Sequence, residues 1–279
     1  MKRSYLIIML ALILVGCEPN GPEFKELTGI GKFSIAEDKQ VTFSPGALQY
    51  HRTTNTWHFA QEQWEMLGLS NLGSPAYIPS VGHWASTTES LGSKIDLFGW
   101  GTGNNPTNTS REVSDYAEYY EWGYNIIDGD RSKKWRTLHI DEWKYLLYER
   151  KNAEELIYFI QLGGLPGTLL LPDDWVKPAE VNFDYRKPEG ETIIPIDLPN
   201  CSLEDWRKME ANGAVFMPKT FMRYSSYAVR SSTLYAGEYW VASHSGDQTG
   251  VVISLGFDGK PFKDQNRSCG HSVRLVKDL

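Results

Sequence analysis

The sequence predicts an α+β domain of small antiparallel sheets with two helices and long loops. Two stretches carry apolar residues at helical spacing, Trp135 to Arg150 and Leu203 to Asn212. Several short runs instead alternate apolar and polar residues, which is the strand pattern. Ten tryptophans and fifteen tyrosines favour a core of aromatics and β-structure over a helical bundle.

Met1 to Cys17 (MKRSYLIIMLALILVGC) is a basic pair, an apolar core and a small residue before cysteine, which reads as an export signal. The apolar run from Tyr5 to Val15 is too short to cross a bilayer as a helix. Leu14-Val15-Gly16-Cys17 resembles the bacterial lipoprotein box, which implies cleavage after residue 16 and acylation of Cys17. Two or more acyl chains anchor firmly, because each buried methylene contributes about 0.8 kcal/mol. Residues 17–27 then form a lipidated tether, polar and containing Pro19 and Pro22. Loss of Lys2 and Arg3 leaves 26 of the 28 basic side chains against 35 acidic ones, a formal charge of −9. Such a balance, without a Lys/Arg run, excludes nucleic acid as a partner and leaves membrane contact to the lipid. The expected location is the outer membrane, at the cell surface or on the periplasmic face.

Residues 28–279 contain no linker or low-complexity block and read as one domain. Phe33, Ile35, Val41 and Phe43 alternate around Glu37-Asp38, and Leu48, Tyr50, Trp57 and Phe59 do so around 53–56, which predicts two hairpins. Gln61 to Leu69 is a short helix or irregular. Gly68 to Ser114 is turn-laden, punctuated by Trp84 and by Leu97-Phe98-Gly99-Trp100-Gly101, with Trp122-Gly123 further on. Aromatics beside glycine suit a loop folded back onto a core; the alternative is an exposed sugar platform. In the first helix Ile140, Trp143, Leu146, Leu147 and Arg150 share a stripe. Asp141 and Glu142 open it and Arg150 and Lys151 close it, as the macrodipole favours.

Beyond that helix, 163–167 turns the chain into a short buried strand at 168–171. Ser202, with Asp205 three residues on, caps the second helix, whose Leu203, Trp206 and Met209 are expected inside and whose Gly213 ends it. Strands follow at 214–217, 238–242, 250–255 and 272–276, with Asp258-Gly259 as a turn.

No catalytic residue, metal site or cofactor site emerges. The six histidines lack a paired spacing, so zinc is unsupported. Ser243, His244 and Asp247 are hydrolase residue types, but neighbours on a strand point to opposite faces, which makes this a polar strand end. Asp128-Gly129-Asp130 lacks the further oxygens of a calcium loop and reads as a turn. With Cys17 acylated, Cys201 and Cys269 are the one pair available for an intrachain disulfide in an oxidising compartment; two separate buried thiols are the alternative.

The arginine, short apolar lead, Glu142-Trp143 and closing Arg150 of the first helix resemble a phrase shared by formylglycine-generating (sulfatase-modifying) proteins and FISUMP-type domains of bacterial surface lipoproteins. The FISUMP resemblance extends to both hairpins, 97–101, 171–175, 213–218 and Trp240. His139 stands where such domains often place a threonine, and Val241-Ala242 where two serines often follow the tryptophan. Either resemblance implies a C-type lectin-like fold whose terminal strand, 272–276, returns to the first hairpin. The enzymatic resemblance fails at the reactive thiol: Leu275 follows Arg274 where those enzymes carry cysteine, and Cys269 lies elsewhere.

These readings converge on an envelope lipoprotein with a non-catalytic domain that binds a glycan or a surface protein. The alternatives are a structural or fimbria-associated component, or an enzyme related to the sulfatase-modifying proteins. Candidate ligand contacts are Arg223, Tyr224, Arg230, Trp240 and His244, since rings stack on sugar faces and arginine forks bond planar polar groups. The competing account makes Tyr224, Tyr227 and Trp240 core and pairs the arginines with the excess acids. A site elsewhere falls in the loop region 68–114.

Overall fold

A computed structural model describes residues 30–66, 94–185, 198–225, 227–230, 237–256 and 260–279, with only the backbone of 227–230. The export segment, Cys17, the tether, Trp84 and Asp258-Gly259 lie outside the described residues.

Both N-terminal hairpins form where alternation places them. Strands β1 (Phe33–Ala36) and β2 (Lys39–Phe43) pair with Phe33 opposite Val41, and β3 (Leu48–His51) and β4 (Thr56–Phe59) pair with Tyr50 opposite Trp57. A two-residue strand, β5 (Lys94–Ile95), adds to β3. Residues 61–66 are irregular.

The first helix, α1 (Ile140–Lys144), continues through a wider turn at Tyr145–Glu149, in which the Arg150 amide donates to the Tyr145 carbonyl five residues back. Its start is fastened twice. The Glu142 carboxylate accepts from the His139 amide at 2.8 Å, and Ser243 Oγ accepts from the Ile140 amide at 3.0 Å. Trp143, Leu146 and Leu147 are buried against Phe33 and Phe43, and burial of each large side chain contributes roughly 1.5–3 kcal/mol. The closing arginine is buried too: Arg150 donates to the Leu171 carbonyl and to Asp173, both at 3.0 Å.

Strands β6 (Ile157–Leu162), β7 (Leu165–Leu170), β8 (Asn200–Cys201) and β9 (Val215–Pro218) form a sheet in the order β8-β6-β7-β9. Helix α2 (Leu203–Ala211) lies on it, with Ser202 Oγ accepting from the Asp205 amide at 3.1 Å. Trp206 and Met209 are buried, but Leu203, expected inside, is 42% exposed. Steps of three residues drift around a helix, so Leu203 stands about 120° from Met209 and off the contact stripe.

The remaining strands are the hairpin β10 (Phe221–Tyr224) with β11 (Tyr227–Arg230) and the sheet β12 (Gly237–His244), β13 (Thr249–Leu255) and β14 (Phe262–Asn266). The last strand, β15, is Val276–Asp278 rather than 272–276, and it pairs antiparallel with β2, Val276 opposite Phe43. The residues before it act as a thread. The Leu275 carbonyl accepts from the Ser44 amide and the Val273 carbonyl from the Leu48 amide, so the chain end ties the two hairpins together. Among the described residues three apolar clusters result; the third gathers Trp57, Phe98, Trp100, Trp122 and Trp240 beneath the irregular loops.

Candidate functional site

The loop face rests on aromatics that need glycine beside them. Trp100 and Trp122 are buried, as expected of aromatics in a loop folded back onto a core. A Cβ on Gly250 would come within 2.5 Å of Trp100 Cδ1, and one on Gly99 would collide with the Tyr116 ring. Absence of a side chain is what allows both contacts.

Over this floor runs the irregular segment 101–118, whose backbone has few ladder partners. Two buried arginines supply the missing donors. Arg223 donates to the carbonyls of Leu97 (3.1 Å), Ser225 (2.7 Å) and Asn108 (3.3 Å). Arg267 stacks 4.2 Å from the Trp100 ring and donates to the carbonyls of Tyr116 (3.4 Å), Ala117 (3.1 Å) and Gly246 (2.8 Å). The guanidinium fork suits this work because it presents five N–H groups in one plane. Tyr116 OH donates to the Ser110 carbonyl and closes the loop on itself.

The fastened loop encloses a cleft of about 200 Å³ lined by Trp100, Asn104, Asn105, Asp115, Tyr116 and Glu118. Trp100 and Tyr116 are buried, whereas the two amides and two carboxylates are exposed. Among the described residues no hydrogen bond or ion pair engages the side chains of Asn104, Asn105, Asp115 or Glu118.

Of the residues that sequence reasoning placed in a site, Arg223 and Trp240 are 1% exposed and offer no surface to a ligand. Trp240 belongs to β12, faces the third cluster and donates Nε1–H to the Phe98 carbonyl. Arg223 is a fastener, held where the Gly270 backbone pairs with its own. Tyr224 is 51% exposed beneath the Arg111 guanidinium, 5.5 Å away, and His244 is exposed with its ring 5.6 Å from Trp100. The two meet the loop at different points, Arg111 and Trp100, and do not form one cleft with Arg223 and Trp240. The Arg230 side chain lies outside the described residues.

The remaining chemical candidates are engaged elsewhere. Ser243 accepts from Ile140 and takes no part with His244. Asp128 accepts from His58 Nδ1 at 2.7 Å and from the Phe59 amide, and Asp130 accepts from Trp135 Nε1 at 2.9 Å. Among the described residues no cluster of His, Cys, Asp or Glu is arranged for a metal ion. Cys201 and Cys269 are both free and buried, so the disulfide is not formed. They belong to different layers, Cys201 to the sheet under α2 and Cys269 to the turn after β14. Burial pushes the Cys201 thiol up to about 12, with Asp205 adding to it, and raises that of Cys269.

Beneath the loops His271 is fully enclosed, its Nδ1 3.5 Å from a Glu238 carboxylate oxygen. Burial, and then the nearby charge of Arg223, lowers the imidazole to about 3.

Sequence reasoning named none of Asn104, Asn105, Asp115 and Glu118, although the first two fall within 68–114, its alternative location for a site, and the two acids lie just beyond it. The signal for the first two was the polar run GTGNNPTNTS from Gly101, and nothing local marked the two acids. No family model, no curated protein and no solved structure matches the chain.

Proposed function

We propose that this chain is a lipid-anchored envelope protein whose C-type lectin-like domain recognises a glycan, without catalysis, through the cleft at 100–118. The observation that carries the proposal is the contrast within one loop. Its backbone is held by two buried guanidinium groups, while four amide and carboxylate side chains at its surface have no partner within the described residues. A rigid loop with unengaged planar polar groups bonds vicinal hydroxyls without first losing bonds or ordering itself.

The lectin-like fold is supported by the return of β15 to β2 and by irregular loops lying over small sheets. The lipid anchor is supported by Leu14-Val15-Gly16-Cys17 in the sequence. Binding is preferred over sulfatase-modifying chemistry because Leu275 follows Arg274, and Arg274 is itself enclosed, donating to Gln63 Oε1 at 2.8 Å. A glycan array probed with residues 18–279 tests the proposal. Binding that weakens at least tenfold, about 1.4 kcal/mol, in Asn105→Ala and Asp115→Ala is expected. Binding unchanged in both variants removes the cleft as the site, and an array without signal removes the glycan in favour of a protein partner.

A further inference from the structure

We infer that the cleft is one end of an extended site for neutral oligosaccharides, with a second subsite on Tyr120 and Tyr124; this rests on the glycan reading of the cleft. The cleft volume of about 200 Å³ is below the roughly 300 Å³ at which pockets for drug-sized ligands begin, and it suits a single ring. Just across the turn at 101–105 stand two tyrosines, 37% and 46% exposed, packed edge to face with centroids 5.5 Å apart.

The turn is the shared wall. Gly101, Thr102, Asn104 and Asn105 line the cleft, and the same stretch is bonded on its other side to the tyrosine segment. The Tyr120 amide donates to the Gly101 carbonyl at 2.9 Å, the Gly103 amide to the Tyr120 carbonyl at 3.1 Å, and Asn125 Nδ2 to the Gly103 carbonyl at 2.9 Å. Gly101 has φ +66, and a Cβ there would meet the Tyr119 backbone at 2.8 Å, so the close approach depends on glycine. Cleft and tyrosines are thus fixed relative to each other by the main chain.

Chemistry divides the two subsites. The Lys133 ammonium stands 5.0 Å from the Tyr124 ring centroid, and the exposed parts of the two rings offer apolar surface with polar tips, which suits the CH face of a sugar ring whose hydroxyls stay wet. The cleft presents amides and carboxylates, which bond hydroxyls, and its lining includes Asp115 and Glu118 but no Lys or Arg. Sulfated or uronate sugars would bring like charge to these acids, so the ring held in the cleft is neutral, while Lys133 is the one cation placed against the tyrosine pair among the described residues. A protein partner would need about 1,000 Å² with an apolar centre, and among the described residues the one large exposed apolar neighbour of the tyrosine pair in sequence is Ile126.

The test uses residues 18–279 and oligomers of mannose, glucose and N-acetylglucosamine, one to six rings long, with sulfated counterparts, followed by ligand-observed NMR and calorimetry. Affinity for at least one neutral series should rise at least tenfold from one ring to two or three. Tyr124→Ala should abolish that rise while single-ring binding persists, and Tyr124→Phe should retain it. Tyr120→Ala gives an independent second variant, and thermal melting checks that each is folded. A rise that survives both alanine variants, or sulfated oligomers bound as tightly as neutral ones, overturns the extended site and leaves the cleft reading standing. Absence of binding to every neutral oligomer, with array signal also absent, overturns the glycan reading itself.

Discussion

Replacement of Arg223 by lysine keeps the charge and removes the fork, so it separates fastening from electrostatics. In the native protein three carbonyls, of Leu97, Asn108 and Ser225, depend on its N–H groups. A single ammonium on a flexible stem does not span all three, and two acceptors, at least one of them only part-buried, are left short of a donor at about 1–2 kcal/mol each. Lysine is also the more strongly hydrated cation, so its burial costs more, and no term runs the other way. A loss of about 2–4 kcal/mol is expected, which for a domain of this size lowers Tm by about 4–8 °C. The damage should be local as well as global. Hydrogen exchange should accelerate at 104–117 and at Gly270, whose amide donates to the Arg223 carbonyl at 2.7 Å, before it accelerates at β7 or β9. Melting within about 1 °C of the parent, with no faster exchange in the loop, would refute the claim that Arg223 holds this face.

Three further outcomes follow from the same structure. Both thiols should resist iodoacetamide at pH 8 in the folded protein and react fully after unfolding without reductant, because each is buried and its thiolate disfavoured; loss of reactivity in the unfolded, unreduced protein would restore the disulfide. His271 is held neutral, its folded pKa of about 3 lying below the ordinary value of 6.5. The unfolded chain therefore binds a proton that the folded chain does not between those values, so stability falls as pH drops from about 6.5 towards 3. His271→Gln should flatten that limb in pH-dependent denaturation, and an unchanged slope would show that other groups set it. Finally, Cys17→Ser should abolish partitioning into a detergent phase, since the acyl chains are the proposed anchor; a processed mutant that still partitions would refute the lipobox.

Much of the scaffold was legible because it depends on local patterns. Alternation placed Phe33, Val41, Tyr50 and Trp57 in two hairpins, and helical spacing placed Trp143, Leu146 and Leu147 inside. The Ser202 cap was likewise readable from two residues. Strand β6 was not, because Ile157–Leu162 has no strict alternation; β7 pairs with it across the two-residue turn Gly163-Gly164, and its other neighbour, β8, lies far along the chain. Leu203 shows the limit of a spacing rule when the contact stripe is narrow. The cleft was harder still. Asn104 and Asp115 become neighbours only because Arg267 and Tyr116 draw 110–117 back over Trp100, which involves residues as distant as Gly246.

The burial of the arginines explains why Arg223 was read as a ligand contact. Arg, Tyr and Trp together read as a recognition set, and the competing account paired the arginines with the excess of acids. The structure takes a third course. Arg150 makes an ion pair with Asp173, but Arg223 and Arg267 direct their N–H groups to main-chain carbonyls. A domain rich in irregular backbone generates buried carbonyls that no ladder satisfies, and each must find a donor. Lysine offers a compact point charge and asparagine two N–H groups, whereas one guanidinium fork serves several loops at once. At Arg223 and Arg267 burial is therefore a consequence of the irregular chain that they fasten. The residues that the proposed site leaves to meet a ligand are then the short polar ones at the crest of the fastened loop, which resemble ordinary turn residues until the fasteners are known.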